Sequence, residues 1–153
     1  GEEKGLSNNK MITDFYQQNI AQFGSKNDKF WSVEDYRAEY EKKTITPVDV
    51  ATAFLYFVDK SQEMTPPMNF FTFPPNKTSI FQQARASAQR WEANSPLSSV
   101  DGVIVVLKCD FDVEGFVTSG GSPLLEKEAT EDGWVAGQLR KAGAIVVGGA
   151  NMH

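Results

Sequence analysis

The chain has very little histidine or cysteine: one residue of each, His153 and Cys109, among 153. A single cysteine excludes an internal disulfide, and no group of histidines and cysteines with zinc-site spacing can be assembled. A Ser-His-Asp or Cys-His catalytic arrangement would have to use His153. If this chain takes part in catalysis, we therefore expect the base to be a lysine or a carboxylate.

Long apolar runs and an excess of positive charge are also missing. The longest uninterrupted apolar run covers residues 103–107, far short of the ~20 residues that a membrane helix needs. The net charge is −5 and the pI is near 4.9, whereas a nucleic-acid-binding surface needs clustered lysine and arginine. We therefore expect no membrane segment and no nucleic-acid partner.

The sequence says little about the compartment. The first ten residues, GEEKGLSNNK, are polar and acidic, so no signal peptide is visible and a cytoplasmic location is slightly favoured. Asn76-Lys77-Thr78 matches the N-glycosylation acceptor pattern, which matters only in a secreted protein.

Apolar residues recur at helical spacing in several segments. Helices are predicted from Ile12 to Phe23, from Ser32 to Lys43, and after the capping sequence Thr46-Pro47-Val48-Asp49. The helix after Thr46 is expected to bury core residues and no ligand: Val50, Ala53, Phe54, Phe57 and Val58. A further helix near Thr78 is expected to bury Phe81, Ala84, Ala88 and Trp91. The last helix is expected to be capped by Thr130 and closed by Gly143.

Two β-branched runs, residues 103–107 and 144–147, and a shorter segment, 69–73, are typical of strands. Strand, helix and strand in this order predict a mostly parallel, mixed sheet with helices on both faces, which is an α/β fold. We expect the two β-branched runs to be adjacent and fully buried. Three apolar side chains should pack over them: Phe54, Phe57 and Leu139.

Lys108 directly follows the run 103–107, and acidic residues follow it at Asp110, Asp112 and Glu114. From this spacing alone, the favoured interpretation is that Lys108 leaves the core with its ammonium group in water. Two glycine-rich segments, 119–122 and 148–151, match neither a Walker A loop nor a GxGxxG pattern. They predict tight turns or close backbone approach.

Two blocks of the sequence resemble the N-terminal part of the amidase signature family. Residues 101–122, DGVIVVLKCDFDVEGFVTSGGS, resemble the family pattern DGVPVAVKDN-x-D-V-x-G-x-x-T-x-x-GS. Residues 139–153, LRKAGAIVVGGANMH, are similar to LRxAGAxxxGKTNMxE. Weaker similarity extends over residues 46–58 and 69–91. The positions at which the chain departs from these patterns include Ile104, Cys109, Asp110 and Gly149.

The resemblance implies that residues 1–153 are the N-terminal portion of a single amidase-signature domain. A helical lead-in would cover residues 1–45, and the α/β core would start with residues 46–153. The family hydrolyses amides with a Ser, cis-Ser, Lys triad, and its lysine falls on Lys108. A lysine at the end of a buried strand loses solvation, which makes its neutral form accessible. With the resemblance, the catalytic interpretation of Lys108 is favoured. Cys109 is expected to point away from it as a small buried thiol.

The resemblance also implies what this chain lacks. Both family serines belong to a separate Ser-Gly-Gly-rich segment downstream, to which the loop 119–122 does not correspond. We therefore expect amide hydrolysis through an acyl-enzyme, with a small-molecule amide substrate, no cofactor and no metal. The rest of the amidase domain would come from another chain or from a separate part of the same protein.

Two alternatives remain open: an acyl or ammonia transferase of the amidotransferase kind, and a truncated, non-catalytic chain that acts as a binding or regulatory partner. For an amidase domain completed by a second part, we expect an extensive apolar interface, larger than a standard contact of ~1,600 Å². The reasons are that the central strands are apolar on both faces and that the strand at residues 144–147 should leave its outer edge unpaired.

Overall fold

The computed structural model describes residues 31–152, and the helices and strands lie in one compact unit that begins at Val33. The helix predicted from Ile12 to Phe23 lies outside the described residues. Within residues 31–152, no helix is long and apolar enough to cross a membrane. The elements in chain order are α1 (Val33–Glu41), α2 (Pro47–Gln62), α3 (Lys77–Glu92), β1 (Ile104–Lys108), β2 (Val117–Thr118), a 3-10 helix (Pro123–Leu125), β3 (Lys127–Glu128), α4 (Trp134–Lys141) and β4 (Ile145–Ala150).

Strands β1 and β4 form a parallel pair, in which Ile104 lies opposite Ile145 and Val106 lies opposite Val147. Helix α4 lies between them in the chain, and both α3 and α4 contact β4. Strands β2 and β3 form a separate antiparallel pair. The predicted α/β fold, and the predicted adjacency of the two β-branched runs, are confirmed.

The two central strands differ in burial. Ile145, Val146 and Val147 of β4 are completely buried, whereas Val106 of β1 is 41% exposed. The prediction of full burial is therefore right for β4 and wrong for β1. The reason is that β1 has a single neighbouring strand in residues 31–152, while α3 and α4 pack against β4.

Helix α2 begins as its sequence predicts. The Thr46 hydroxyl accepts a hydrogen bond from the Asp49 amide, and the Asp49 carboxylate accepts one from the Thr46 amide, which is a capping box. The predicted buried stripe, however, is mostly wrong. The apolar side chains that α2 buries are Ala51, Leu55 and Val58, whereas Phe54 is half-buried against the core and Phe57 is 45% exposed. Ala51 and Leu55 of α2 belong to the same core cluster as Ile80 and Ala84 of α3.

Helix α3 has Asn76 as its N-cap. Two residues predicted to be buried, Ala84 and Trp91, are buried, while Phe81 and Ala88 are only partly covered. The helix also buries Ile80 and Ser87, which periodicity did not select.

Helix α4 begins at Trp134 with Gly133 as its N-cap, three residues after the predicted cap, Thr130. Residues 130–133 instead bond to the turn after β1: the Gly133 amide donates to the Asp112 carbonyl at 2.8 Å, and the Asp132 carboxylate accepts from the Glu114 amide at 2.9 Å. The end of the helix agrees with the prediction, since its last turn contains Arg140 and Lys141 and Gly143 follows with φ of +90°.

The outer edge of β4 is covered. The side-chain amide of Gln83 accepts from the Val146 N–H at 2.8 Å and donates to the Val146 carbonyl at 3.1 Å. Residues 69–73 make a single antiparallel bridge, Phe71 to Ala150, and not the full strand that was predicted. The expectation of an unpaired edge at β4 is therefore wrong, because the open edge of this sheet belongs to β1.

The amino ends of β1 and β4 are held by Asp101, which is completely buried. Its carboxylate accepts hydrogen bonds from the Ser87 hydroxyl at 2.6 Å, from Arg90 at 2.7 and 2.8 Å and from the Leu97 amide at 2.8 Å. Burial acts to raise the pKa of this carboxyl, but these hydrogen bonds outweigh it and hold the pKa below its ordinary value. A Cβ added at Gly143 would lie 2.6 Å from the Asp101 carboxyl carbon, so this anchor needs glycine in the α4–β4 turn.

Helix α1 is joined to the same anchor through Tyr40. The Tyr40 hydroxyl donates to the Gly102 carbonyl at 2.9 Å, and its ring packs against Trp91 with centroids 5.4 Å apart. The Trp91 indole N–H donates to the Asp101 carbonyl at 3.1 Å. The Asp101-Gly102 dipeptide thus connects α1 and α3 with the start of β1.

Candidate active site

Lys108 is the last residue of β1 and lies opposite Ala150 of β4, at the carboxyl ends of the parallel pair. This is the edge at which open α/β sheets bind ligands. The Lys108 side chain is exposed. The predicted loss of solvation of its ammonium group is therefore not seen within residues 31–152. The reason is that Lys108 lies on the same face of β1 as the exposed Val106.

Cys109 follows Lys108 and is completely buried. Burial acts to raise the pKa of its thiol, but hydrogen bonds, led by that from the Ser119 side chain, outweigh it and lower the pKa below its ordinary value. A thiol that solvent cannot reach is not placed to attack a substrate. The predicted burial of Cys109 is confirmed.

The backbone on both sides of the Lys108–Cys109 peptide is fixed by hydrogen bonds. The Cys109 amide donates to the Ala150 carbonyl at 2.9 Å, and the Cys109 carbonyl accepts from the amides of Ser119 and Gly120 at 2.8 and 2.9 Å. The Lys108 carbonyl accepts from the Phe111 amide at 3.1 Å. The loop 118–122 is thereby folded against the strand end that contains Lys108.

The glycines near this edge allow close packing, as predicted. A Cβ at Gly148 would lie 2.8 Å from the Val113 Cβ, and one at Gly121 would lie 3.5 Å from the Met152 Cβ. Gly121 also has φ of +77°, which is the left-handed region that favours glycine. Three segments therefore meet at the carboxyl ends of the strands: the end of β1, the loop 118–122 and residues 148–152.

The acidic residues after Lys108 shape the turn. The Asp112 carboxylate accepts from the Thr118 hydroxyl at 2.8 Å and lies 3.6 Å from the Lys127 ammonium group. Asp110 is exposed. Across residues 31–152, no group of histidine, cysteine, aspartate and glutamate side chains could hold a metal ion.

The Asn76 of the glycosylation pattern has a structural role. Its carbonyl oxygen accepts from the Ser79 amide at 3.1 Å at the start of α3, and its amide nitrogen donates to the Gly115 carbonyl at 3.2 Å. Asn76 thus joins α3 to the turn after β1.

Comparison with known proteins gives a consistent result. Residues 52–153 match the family described as Amidase. The chain is 34% identical to a fatty acid amide hydrolase of Arabidopsis thaliana, over 82% of this chain and 21% of that protein. It is 29% identical to a mitochondrial glutamyl-tRNA(Gln) amidotransferase protein of Drosophila pseudoobscura pseudoobscura, over 80% of this chain and 23% of that protein.

The fold resembles that of the native peptide amidase from Stenotrophomonas maltophilia, with a TM-score of 0.72 and 21% identity over 79% of this chain and 24% of that one. The chain thus spans about a fifth of the length of the curated relatives that it matches. It has the fold of one part of an amidase-signature domain.

Proposed function

The chain belongs to the amidase family, and we propose that it supplies the lysine of an enzyme that hydrolyses carboxamide C–N bonds. The observation that supports this most is the position of Lys108. It lies at the carboxyl end of a parallel strand, inside a block that matches the family. The nearby Asp112 carboxylate is occupied within the turn, where it accepts a hydrogen bond from the Thr118 hydroxyl.

In the proposed mechanism, the neutral Lys108 amine takes a proton from a bridging serine, which in turn takes one from the nucleophilic serine. The nucleophilic oxygen attacks the carbonyl carbon of the amide. The C–N bond then breaks, and the leaving nitrogen receives a proton by the same route in reverse. Water attacks the resulting acyl-enzyme and releases the carboxylic acid. We propose that both serines come from the remainder of the amidase domain.

The exposed apolar surface supports this division between parts. The most exposed large side chains include Leu124 at 94%, Trp134 at 79% and Leu125 at 63%. Strand β1 offers an open edge with Val106 at 41% exposure, and an open apolar edge favours pairing with a further strand. We propose that the remainder of the domain covers this surface, over more than the ~1,600 Å² of a standard interface. This cover would desolvate Lys108 and favour its neutral form.

The names of the relatives suggest which substrates to test first. Fatty acid amides come first, because a fatty acid amide hydrolase is similar over 82% of this chain. A second candidate function is transfer of ammonia or an acyl group, favoured by the similarity to the mitochondrial amidotransferase protein. An acyl transferase differs from a hydrolase in what attacks the acyl-enzyme, since water gives the acid and another acceptor gives a new amide or ester. In ammonia transfer, water still releases the acid, and the released ammonia passes to a second acceptor.

The test is amide hydrolysis by the complete protein with Lys108→Ala and Lys108→Arg. We expect both to lose activity by about 10²–10⁴-fold, the usual contribution of a positioned proton-transfer group, and arginine does not rescue because guanidinium stays protonated. Lys141→Ala is the matched control, since Lys141 is also exposed but lies in the last turn of α4, before β4 begins. Wild-type turnover in Lys108→Ala would exclude the catalytic role and favour a non-catalytic binding chain.

A further inference from the structure

We propose that Gly149 is a positioning residue, which places Lys108 through a bulge in strand β4. This inference rests on the proposed function, because it assumes that the position of Lys108 matters for turnover. Gly149 lies on β4, the strand that pairs with the strand of Lys108.

The bulge is visible in the pairing of the two strands. Val106 lies opposite Val147, but Lys108 lies opposite Ala150, so one more residue is used on β4 than on β1 over this interval. An extra residue of this kind bends the strand and changes what the following residues oppose. In a regular register, Lys108 would have faced Gly149.

The conformation of Gly149 makes this bulge possible. Gly149 has φ of +82°, a region that side-chain-bearing L-residues rarely adopt. A Cβ at this position would meet nothing closer than the Val117 carbonyl oxygen at 3.8 Å. Gly148 is different, because its Cβ would lie 2.8 Å from Val113. Position 148 therefore requires glycine because a side chain would clash with its neighbours. Position 149 has room for a side chain and requires glycine only because of its positive φ.

Hydrogen bonds connect the bulge to the end of β1. The Cys109 amide donates to the Ala150 carbonyl at 2.9 Å, and the Thr72 amide donates to the Gly149 carbonyl at 3.0 Å. If the bulge were lost, the partner of Cys109 would shift by one residue, or about 3.3 Å along the strand. A displacement of about 1 Å in a catalytic group can lower the rate about 10²-fold.

The family pattern has lysine at the position of Gly149, so the left-handed glycine is a departure of this chain from that pattern. The test uses the complete protein and compares Gly149→Ala with Gly115→Ala. Gly115 is a matched control because its φ is +78° and the atom nearest to an added Cβ is the side-chain nitrogen of Asn76 at 3.4 Å. Both changes place alanine in a left-handed conformation, but only Gly149 lies in the bulge of the strand that pairs with β1.

We expect the two variants to show similar decreases in melting temperature. Gly149→Ala should lower kcat by about 10- to 100-fold with little change in KM, while Gly115→Ala keeps the wild-type kcat. Gly149→Asn should fall between wild type and Gly149→Ala, because asparagine adopts the left-handed region more readily than alanine. This milder change also keeps the test informative if Gly149→Ala fails to fold.

Lys108→Ala separates the two possible failures. If it remains active, the proposed function is wrong and the inference fails with it. If Lys108→Ala is inactive but Gly149→Ala and Gly149→Asn have the kcat of Gly115→Ala, the positioning role alone is overturned. The same conclusion follows if the Gly149 variants lose activity only in proportion to the fraction that is folded.

Discussion

The Asp101→Asn substitution tests how the amino ends of the central strands are held. Asp101 is completely buried and accepts from Ser87, Arg90 and Leu97. The amide of asparagine has nearly the same shape, but it removes the negative charge and points N–H donors towards groups that are themselves donors. Breaking a buried charge pair in this way costs about 3–5 kcal/mol. The Arg90 side chain is 26% exposed and can be hydrated, so we expect the lower end, about 3 kcal/mol.

The assay is urea unfolding of the complete protein. With a urea m-value of about 1–3 kcal/mol/M, a loss of about 3 kcal/mol lowers the midpoint by about 1–3 M. Asp59→Asn is the matched control, because its pair with Lys77 at 2.8 Å is more than half exposed on both sides and such pairs contribute about 0–1 kcal/mol.

The pH dependence gives a second check on the same carboxyl. The pKa of Asp101 is lowered in the folded protein, so its contribution is fully present above the unfolded value, about 3.9. The contribution is lost as the pH falls through the lower, folded value. The difference in unfolding free energy between wild type and Asp101→Asn should therefore shrink below about pH 4. A midpoint change no larger than that of Asp59→Asn, or a difference that stays constant on acidification, would refute this reasoning.

Three further predictions concern the same fold. Gln83→Leu should lower the unfolding free energy by about 1–3 kcal/mol, because the N–H and C=O of Val146 lose their side-chain partner. Urea unfolding midpoints measure this loss, with Gln82→Leu, a change at the exposed neighbouring residue, as the control. Gly143→Ala should be severely destabilising, since its Cβ would lie 2.6 Å from the Asp101 carboxyl carbon; thermal melts compared with Gly137→Ala measure the loss. Residues 1–153 expressed alone should aggregate or remain partly unfolded and show no amide hydrolysis, and a cooperatively melting, soluble monomer by sedimentation and calorimetry would contradict the proposed interface.

The sequence predicted those parts of the fold that depend on local signals. The cap at Thr46 and the glycine after α4 each act through neighbours within a few residues, and both are confirmed. The parallel pairing of β1 and β4 followed from the order of strand, helix and strand. The buried side of helix α2 was harder to predict, because apolar residues occur on all sides of this helix. Their periodicity does not decide whether the side with Ala51 or the side with Phe57 is buried.

The contacts that position the candidate site could not be predicted in this way. Gln83 bonds to Val146, 63 residues away in the chain, and no local pattern indicates that a helix side chain will cover a strand edge. The sequence showed Asp101 only as part of the family pattern, because its partners Ser87 and Arg90 lie more than ten residues away in the chain. The bulge at Gly149 has a weak signal in the glycine pair itself, but its register depends on the opposite strand.

The central claim is that Lys108 is the base that activates a serine supplied by the rest of the protein. The most direct measurement is the single-turnover rate of amine release from an amide substrate by the complete protein, which reports acyl-enzyme formation. The account predicts that Lys108→Ala slows this step by about 10²–10⁴-fold while Lys141→Ala leaves it unchanged. Amine release at the wild-type rate in a folded Lys108→Ala protein would contradict the account.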